Sequence, residues 1–278
     1  MLKARNIKFY EGIHMSLIAN QTSKAFPYSS FIPFYFNGLS ISNDATTPNT
    51  LLDVAAGSCL DSTGTFQLTL PAAAKVNIAT NGLNGLDTGT IAASKVYAVF
   101  LVADPVTLQS SGVMISLSYT APLLPFGYSA FARIGFVTIG AGSTIVKGYW
   151  NGNDNARRIF TYDAFQATAV TAGASTSYAN VDLTKFVPLI NNLQTSIYTN
   201  FSANAAGDTL SLQCGNGTGD QQIITAPVVA GTAHVTTLST ILAQTVAIST
   251  VNSPTINYKV SSGSDAVAIS VAGYTFDL

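Results

Sequence analysis

From Phe34 onward the chain alternates short apolar runs with polar residues at period two, the spacing of strands covered on one face. Thr65-Phe66-Gln67-Leu68-Thr69-Leu70 shows the pattern, and Val96-Tyr97-Ala98-Val99-Phe100-Leu101-Val102 is an unbroken apolar run of strand length, as a strand buried on both faces requires. Further strands are expected over 113–118, 130–139, 144–147, 209–214, 255–260 and 266–271, each bounded by Gly, Pro, Ser or Asn. Gly140-Ala141-Gly142-Ser143 has the composition of a tight connection, and Asn151-Gly152-Asn153-Asp154-Asn155 reads as a dense turn cluster. One helical turn or two is expected over 72–77, cut short by Asn81-Gly82. Many short strands between frequent turns predict an all-β chain of two β-sandwich, jelly-roll-like domains, at 36–158 and 159–278.

Residues 1–35 break the pattern. They hold Lys3, Arg5, Lys8 and Lys24, followed by Phe26-Pro27-Tyr28-Ser29-Ser30-Phe31-Ile32-Pro33. So many aromatics are costly to leave in water, so the segment is read as an extended N-terminal docking arm, with Lys3, Arg5, Lys8, Phe26, Tyr28 and Phe31 as its docking residues. Polar residues stand at Tyr10, Glu11 and His14, where a secretory leader would place its apolar centre, so none is expected.

Composition narrows the functions. Only 9% of the 278 residues are charged, against roughly 25% in ordinary globular chains, and the net charge is −1. The 12 Lys and Arg are scattered, which argues against phosphate neutralisation and hence against nucleic acid as partner. The mean hydropathy is +0.34, yet Thr, Ser, Asn and Gly interrupt every apolar run before membrane-spanning length, so no helical span is expected. Cys59 and Cys214 stand far apart and fit neither a disulfide framework nor a CxxC motif, and both read as small buried hydrophobes.

Candidate chemistry is sparse. Glu11 is the sole glutamate among 13 acidic residues, and the aspartates sit mostly beside Gly, Asn or Ser, where carboxylates hold turns. A polysaccharide-degrading site needs paired carboxylates, one with a raised pKa, and no context singles out such a pair. Neither His14 nor His234 has a Cys, Asp or second His at metal-ligand spacing, and no GxSxG or SxxK is present. Gly215-Asn216-Gly217-Thr218-Gly219-Asp220 lacks the following GK[ST] of a phosphate cradle and reads as a hairpin tip. Asn151 to Asn155 departs from the EF-hand order. No catalytic residue, cofactor or metal is expected, and the chain reads as a non-enzyme.

The series Gly38-Leu39-Ser40-Ile41-Ser42-Asn43, Pro48-Asn49, Asp53-Val54-Ala55-Ala56-Gly57 and Asp61-Ser62 is followed by Gly85-Leu86-Asp87-Thr88-Gly89-Thr90-Ile91-Ala92. Pro122, Pro125-Phe126-Gly127-Tyr128 and Arg133-Ile134-Gly135 close it. In this order, over residues 38–135, the motifs resemble a β-rich domain of the tail-fibre proteins of tailed bacteriophages. A looser likeness to its accompanying sandwich modules runs through Asp182-Leu183-Thr184-Lys185-Phe186-Val187-Pro188.

The resemblance implies a virion component, made in the host cytoplasm, that assembles with itself as a homotrimer and with other tail or capsid proteins. It also implies attachment to a host-surface glycan or protein. Asn153, Asp154, Asn216, Thr218 and Asp220 are the candidate receptor or assembly loops. A capsid decoration or neck adaptor without receptor binding is the alternative, and a polysaccharide-degrading tail protein a more distant one. Among the motif residues, Asp53, Asp61 and Asp87 are expected to fix turns, Gly89, Gly127 and Gly135 to supply positive φ or close approach, and Arg133 to pair with a carboxylate or an aromatic face.

Overall fold

The structure is a computed structural model that describes residues 35–104, 110–154, 157–163, 167–190, 193–214, 222–225, 237–245 and 254–277. Among these residues there are strands and turns and no α-helix, and every strand pairing is antiparallel. The chain is all-β, as its alternation predicts.

The first strands are short: β1 (Phe36–Gly38), β2 (Ile41–Asn43), β3 (Leu51–Val54), β4 (Gly57–Leu60), β5 (Gln67–Leu70) and β6 (Ala74–Asn77). Three longer ones follow, β7 (Lys95–Ala103), β8 (Ser110–Ser116) and β9 (Ala130–Ile139). The expected helical turn at 72–77 is instead β6, paired with β3 from Leu51↔Asn77 to Val54↔Ala74. Its Val76 is fully buried, and an available strand edge outweighs the weak helical preference of three alanines. β7 lies between β8 and β9 and is buried from Val96 to Ala103, in accord with its unbroken apolar run. The strand expected at 144–147 is reduced to a single bridge, Ile139↔Ile145, beyond the tight turn at Gly140.

Next come β10 (Gly148–Asp154), β11 (Arg157–Tyr162), β12 (Thr168–Gly173), β13 (Ala179–Asp182) and β14 (Gln194–Ser202). The last are β15 (Thr209–Cys214), β16 (Gln222–Thr225), β17 (Thr237–Thr245), β18 (Thr255–Val260) and β19 (Ala266–Asp277). The turn cluster at 151–155 proves to be mostly strand: β10 continues to Asp154, with a register shift between Asn151 and Asp154, and pairs with β11.

Sheet order joins what the sequence divides. A nine-stranded sheet runs β17-β14-β19-β11-β10-β2-β3-β6, with β12 also on β19. The division expected at residue 158 falls inside β11, which pairs β10 on one edge and β19 on the other. Strands from both parts of the sequence thus share one ladder. Three smaller sheets, β1-β4-β5, β8-β7-β9 and β13-β18-β15-β16, complete the described architecture.

Aromatic rings hold the layers together. Trp150 of β10 meets Phe160, Tyr274 and Phe276 at centroid distances of 5.0–6.0 Å, and Phe136 of β9 stands edge-on to Phe276 at 5.1 Å. Such tilted and edge-to-face pairs suit the ring quadrupole as well as burying large area. At Gly273 the β11–β19 seam is too close for a side chain: a Cβ there would lie 2.2 Å from the Phe160 carbonyl oxygen.

Candidate functional site

Two features stand out, a cleft and a braced apolar loop. The cleft, about 560 Å³, opens between the β1–β4 edge and the β7–β9 sheet. Tyr35, Phe36, Phe100, Tyr119 and Phe131 supply apolar wall, and Asp61, Thr63 and Arg133 supply polar groups. Its size is that of a small-ligand pocket.

Its charges are already engaged. Asp61 Oδ1 accepts the Thr65 and Phe66 amides at 2.7 and 2.9 Å, and Oδ2 accepts the Thr63 hydroxyl at 2.6 Å, so this carboxylate fixes a turn as its sequence context predicts. Arg133 donates to the Tyr119 carbonyl at 3.1 Å and lies over the Phe136 and Phe276 rings at 5.2 and 6.0 Å. Of the two partners expected for Arg133, the structure supplies the aromatic one. Burial lowers its guanidinium pKa below the usual value.

The loop between β8 and β9 carries Leu117, Leu123 and Phe126, exposed by 51%, 61% and 104%. Asp87 braces it from outside: Oδ2 accepts the Ser116 hydroxyl at 2.6 Å and the Leu123 amide at 3.1 Å, while Oδ1 takes the Thr88 amide at 2.8 Å. Ser118 Oγ accepts the Ala121 amide, and Tyr128 N–H closes a turn onto the Pro125 carbonyl across Gly127 at φ +92°. Gly89, at φ +77°, likewise has the positive angle its motif predicts, while Gly135 permits close approach, a Cβ there meeting Ile41 Cδ1 at 2.7 Å.

Other charged groups are also in structural use. Asp53 does not hold a turn as expected: it faces Lys75 across β3 and β6 and accepts its ammonium at 2.8 Å. Lys75 also pairs with Asp44, whose carboxyl is held well below the usual range by that ammonium and by the Thr47 and Thr46 amides. Asp265 and Asp208 take turn amides of Asn204, Ser262 and Ala205. Arg158 is buried, donating through Nη2 to the Leu39 and Ile134 carbonyls at 2.9 Å and lying 4.1 Å from the Phe36 ring centre. Burial pushes its pKa down to about 10. Arg158 shares its strand face with Phe160 and Tyr162, and that alternation was the available signal for its burial.

Of the sequence-derived sites, Lys3, Arg5, Lys8, Phe26, Tyr28, Phe31, Asn216, Thr218 and Asp220 lie outside the described residues, as does His234. Asn153 and Asp154 end β10, where Asp154 opposes Arg157. The exposed Leu123 and Phe126 were missed as a site, although they lie among the tail-fibre-like motifs. The available signal was an apolar Leu-Leu-Pro-Phe run inside a Pro/Gly turn. Among the described residues no three His, Cys, Asp or Glu side chains gather as a metal site, and no helix is long and apolar enough to cross a membrane.

Fold and site together define an all-β protein of several antiparallel sheets, with an apolar cleft and a projecting apolar loop. No family model matches the chain, and no curated protein matches it in sequence. Solved structures with some likeness include a carbohydrate-binding module of Cellvibrio mixtus lichenase 5A in complex with cellotriose. It is 14% identical, with a TM-score of 0.21 over 45% of this chain and 86% of the module. The T13 particle protein of infectious bursal disease virus is 16% identical, with a TM-score of 0.24 over 94% of this chain and 73% of its own. The VP2 subviral particle of that virus gives 14%, 0.24, 87% and 72% in the same order. Likeness at this level supports neither a shared fold family nor a function.

Proposed function

We propose that the chain is a structural component of a tailed-phage particle, a tail fibre or another tail appendage, that acts by contact and not by catalysis. The observation that carries the contact role is the β8–β9 loop. It holds Leu123 and Phe126 in solvent on a braced backbone, and exposed apolar groups that are already ordered lose little entropy when a partner covers them. The ordered motifs at 38–135 support the phage setting, and the low charge content suits self-association with little desolvation cost. A homotrimer is the assembly this reading expects, with the basic start of the arm, Lys3, Arg5 and Lys8, facing the particle.

Sedimentation equilibrium of the intact chain and of a Leu123→Ser, Phe126→Ser variant tests the contact role. The expected result is a trimer that the variant converts to a folded monomer; a monomeric wild type at micromolar concentration, or a variant of unchanged mass, overturns it. Antibody labelling of purified particles tests the setting, and label on the tail favours an appendage over capsid decoration. Binding of the isolated protein to host cells separates a fibre from an adaptor.

A further inference from the structure

We propose that the cleft beside β1 is filled by residues 26–34 of the same chain, so that the aromatic end of the arm docks on its own fold. The place of Tyr35 in the cleft wall carries the inference. Tyr35 is part of the cleft wall, pinned there by its carbonyl, which accepts the Leu60 amide at 3.2 Å, and by its hydroxyl, 3.0 Å from Ser58 Oγ. On this proposal the preceding residues continue from Tyr35 into the cleft. Four extended residues span at most about 14 Å, enough for residues 31–34 to cross a cleft of this volume.

The chemistry of cleft and segment agrees. Asp61 is satisfied by its own turn, and the one assigned guanidinium bond of Arg133 goes to a main-chain carbonyl, so the wall selects for apolar area more than for charge. The segment supplies that area through Phe26, Tyr28, Phe31, Ile32 and Phe34, with no charged residue between 25 and 43. Pro27 and Pro33 bias it to an extended path and lack N–H groups that would need partners in the cleft, which lowers the cost of ordering it.

This divides the arm expected to dock on the particle. The aromatic stretch belongs to the cleft, while Lys3, Arg5 and Lys8 remain for a neighbour. The inference does not depend on the virion setting, since a protein absent from particles would keep the same self-contact.

The test uses the full chain carrying Phe31→Cys and Thr63→Cys, exposed to mild oxidant and mapped by mass spectrometry after a non-reducing gel. A 31–63 disulfide within one chain, at a yield well above that of a Phe31→Cys, Ser264→Cys control, is the expected result. A 31–63 disulfide between chains, or a yield equal to the control, overturns it. Hydrogen exchange of the unmodified chain provides the check free of substitutions. Non-proline amides of 26–34 exchanging at least tenfold slower than those of a free 26–34 peptide support the contact, and equal rates overturn it.

Discussion

Replacing Asp87 by alanine isolates the bracing of the β8–β9 loop. The carboxylate accepts three hydrogen bonds, two of which reach 29 and 36 residues along the chain to Ser116 and Leu123. Such bonds contribute about 0.5–1.5 kcal/mol each, and the two to Thr88 and Leu123 are exposed, which places the sum near 2 kcal/mol. The loss falls on the loop more than on the sheets, because the β7–β8 and β7–β9 ladders do not involve Asp87. Amides of residues 117–128 in Asp87→Ala are thus expected to exchange about 30-fold faster, with a smaller drop in the urea midpoint. Asp87→Asn, which keeps a carbonyl acceptor, should fall between the two. Unchanged exchange at 117–128 would refute the bracing role and with it the low-entropy argument for Phe126.

Cys59 is buried, and desolvation pushes its thiol up to about 12. Iodoacetamide at pH 8 should label it about 10³-fold more slowly in the folded than in the unfolded chain, as read by peptide mapping. The unfolded thiol ionises near pH 9, so the stability it contributes is present below that pH and lost as pH rises; urea midpoints of Cys59→Ala should fall less steeply above pH 9 than wild type. Lys75→Met removes the chief cause of the low Asp44 pKa, whose stabilisation exists above about pH 4 and is lost as pH falls. The stability gap to wild type should therefore narrow on acidification, and a constant gap in urea titrations counts against the ion pair. Gly273→Ala forces a Cβ against the Phe160 carbonyl and should cost about 1–3 kcal/mol in urea unfolding, while no loss would mean that the β11–β19 seam can open freely.

Strand existence was legible in the chain because alternation is local. A period of two decides which side chains share a face, so β5, β7, β9, β15, β18 and the start of β19 coincide with their apolar patterns. Turn chemistry was equally readable at Asp61, Gly89 and Gly127, where each residue answers to amides or angles within a few positions, whereas Asp87 takes one neighbouring amide and two partners 29 and 36 positions away. For Arg133 the sequence left a carboxylate and an aromatic face both open, and only the structure supplies the Phe136 and Phe276 rings.

Pairing decided the rest. Residues 74–77 are strand because β3 offers an edge, and 151–154 are strand because β11 lies alongside. Asp53 faces Lys75 through the β3–β6 register, not through its own turn. The pairing of β11 with β19 and the bond from Arg158 to the Leu39 carbonyl join residues more than a hundred positions apart. By itself the sequence determined which residues extend and which turn, since those choices rest on near neighbours. Only the tertiary structure decided which strands are adjacent, which charges are spent, and that a cleft opens beside Tyr35, since each depends on distant edges meeting at hydrogen-bonding distance.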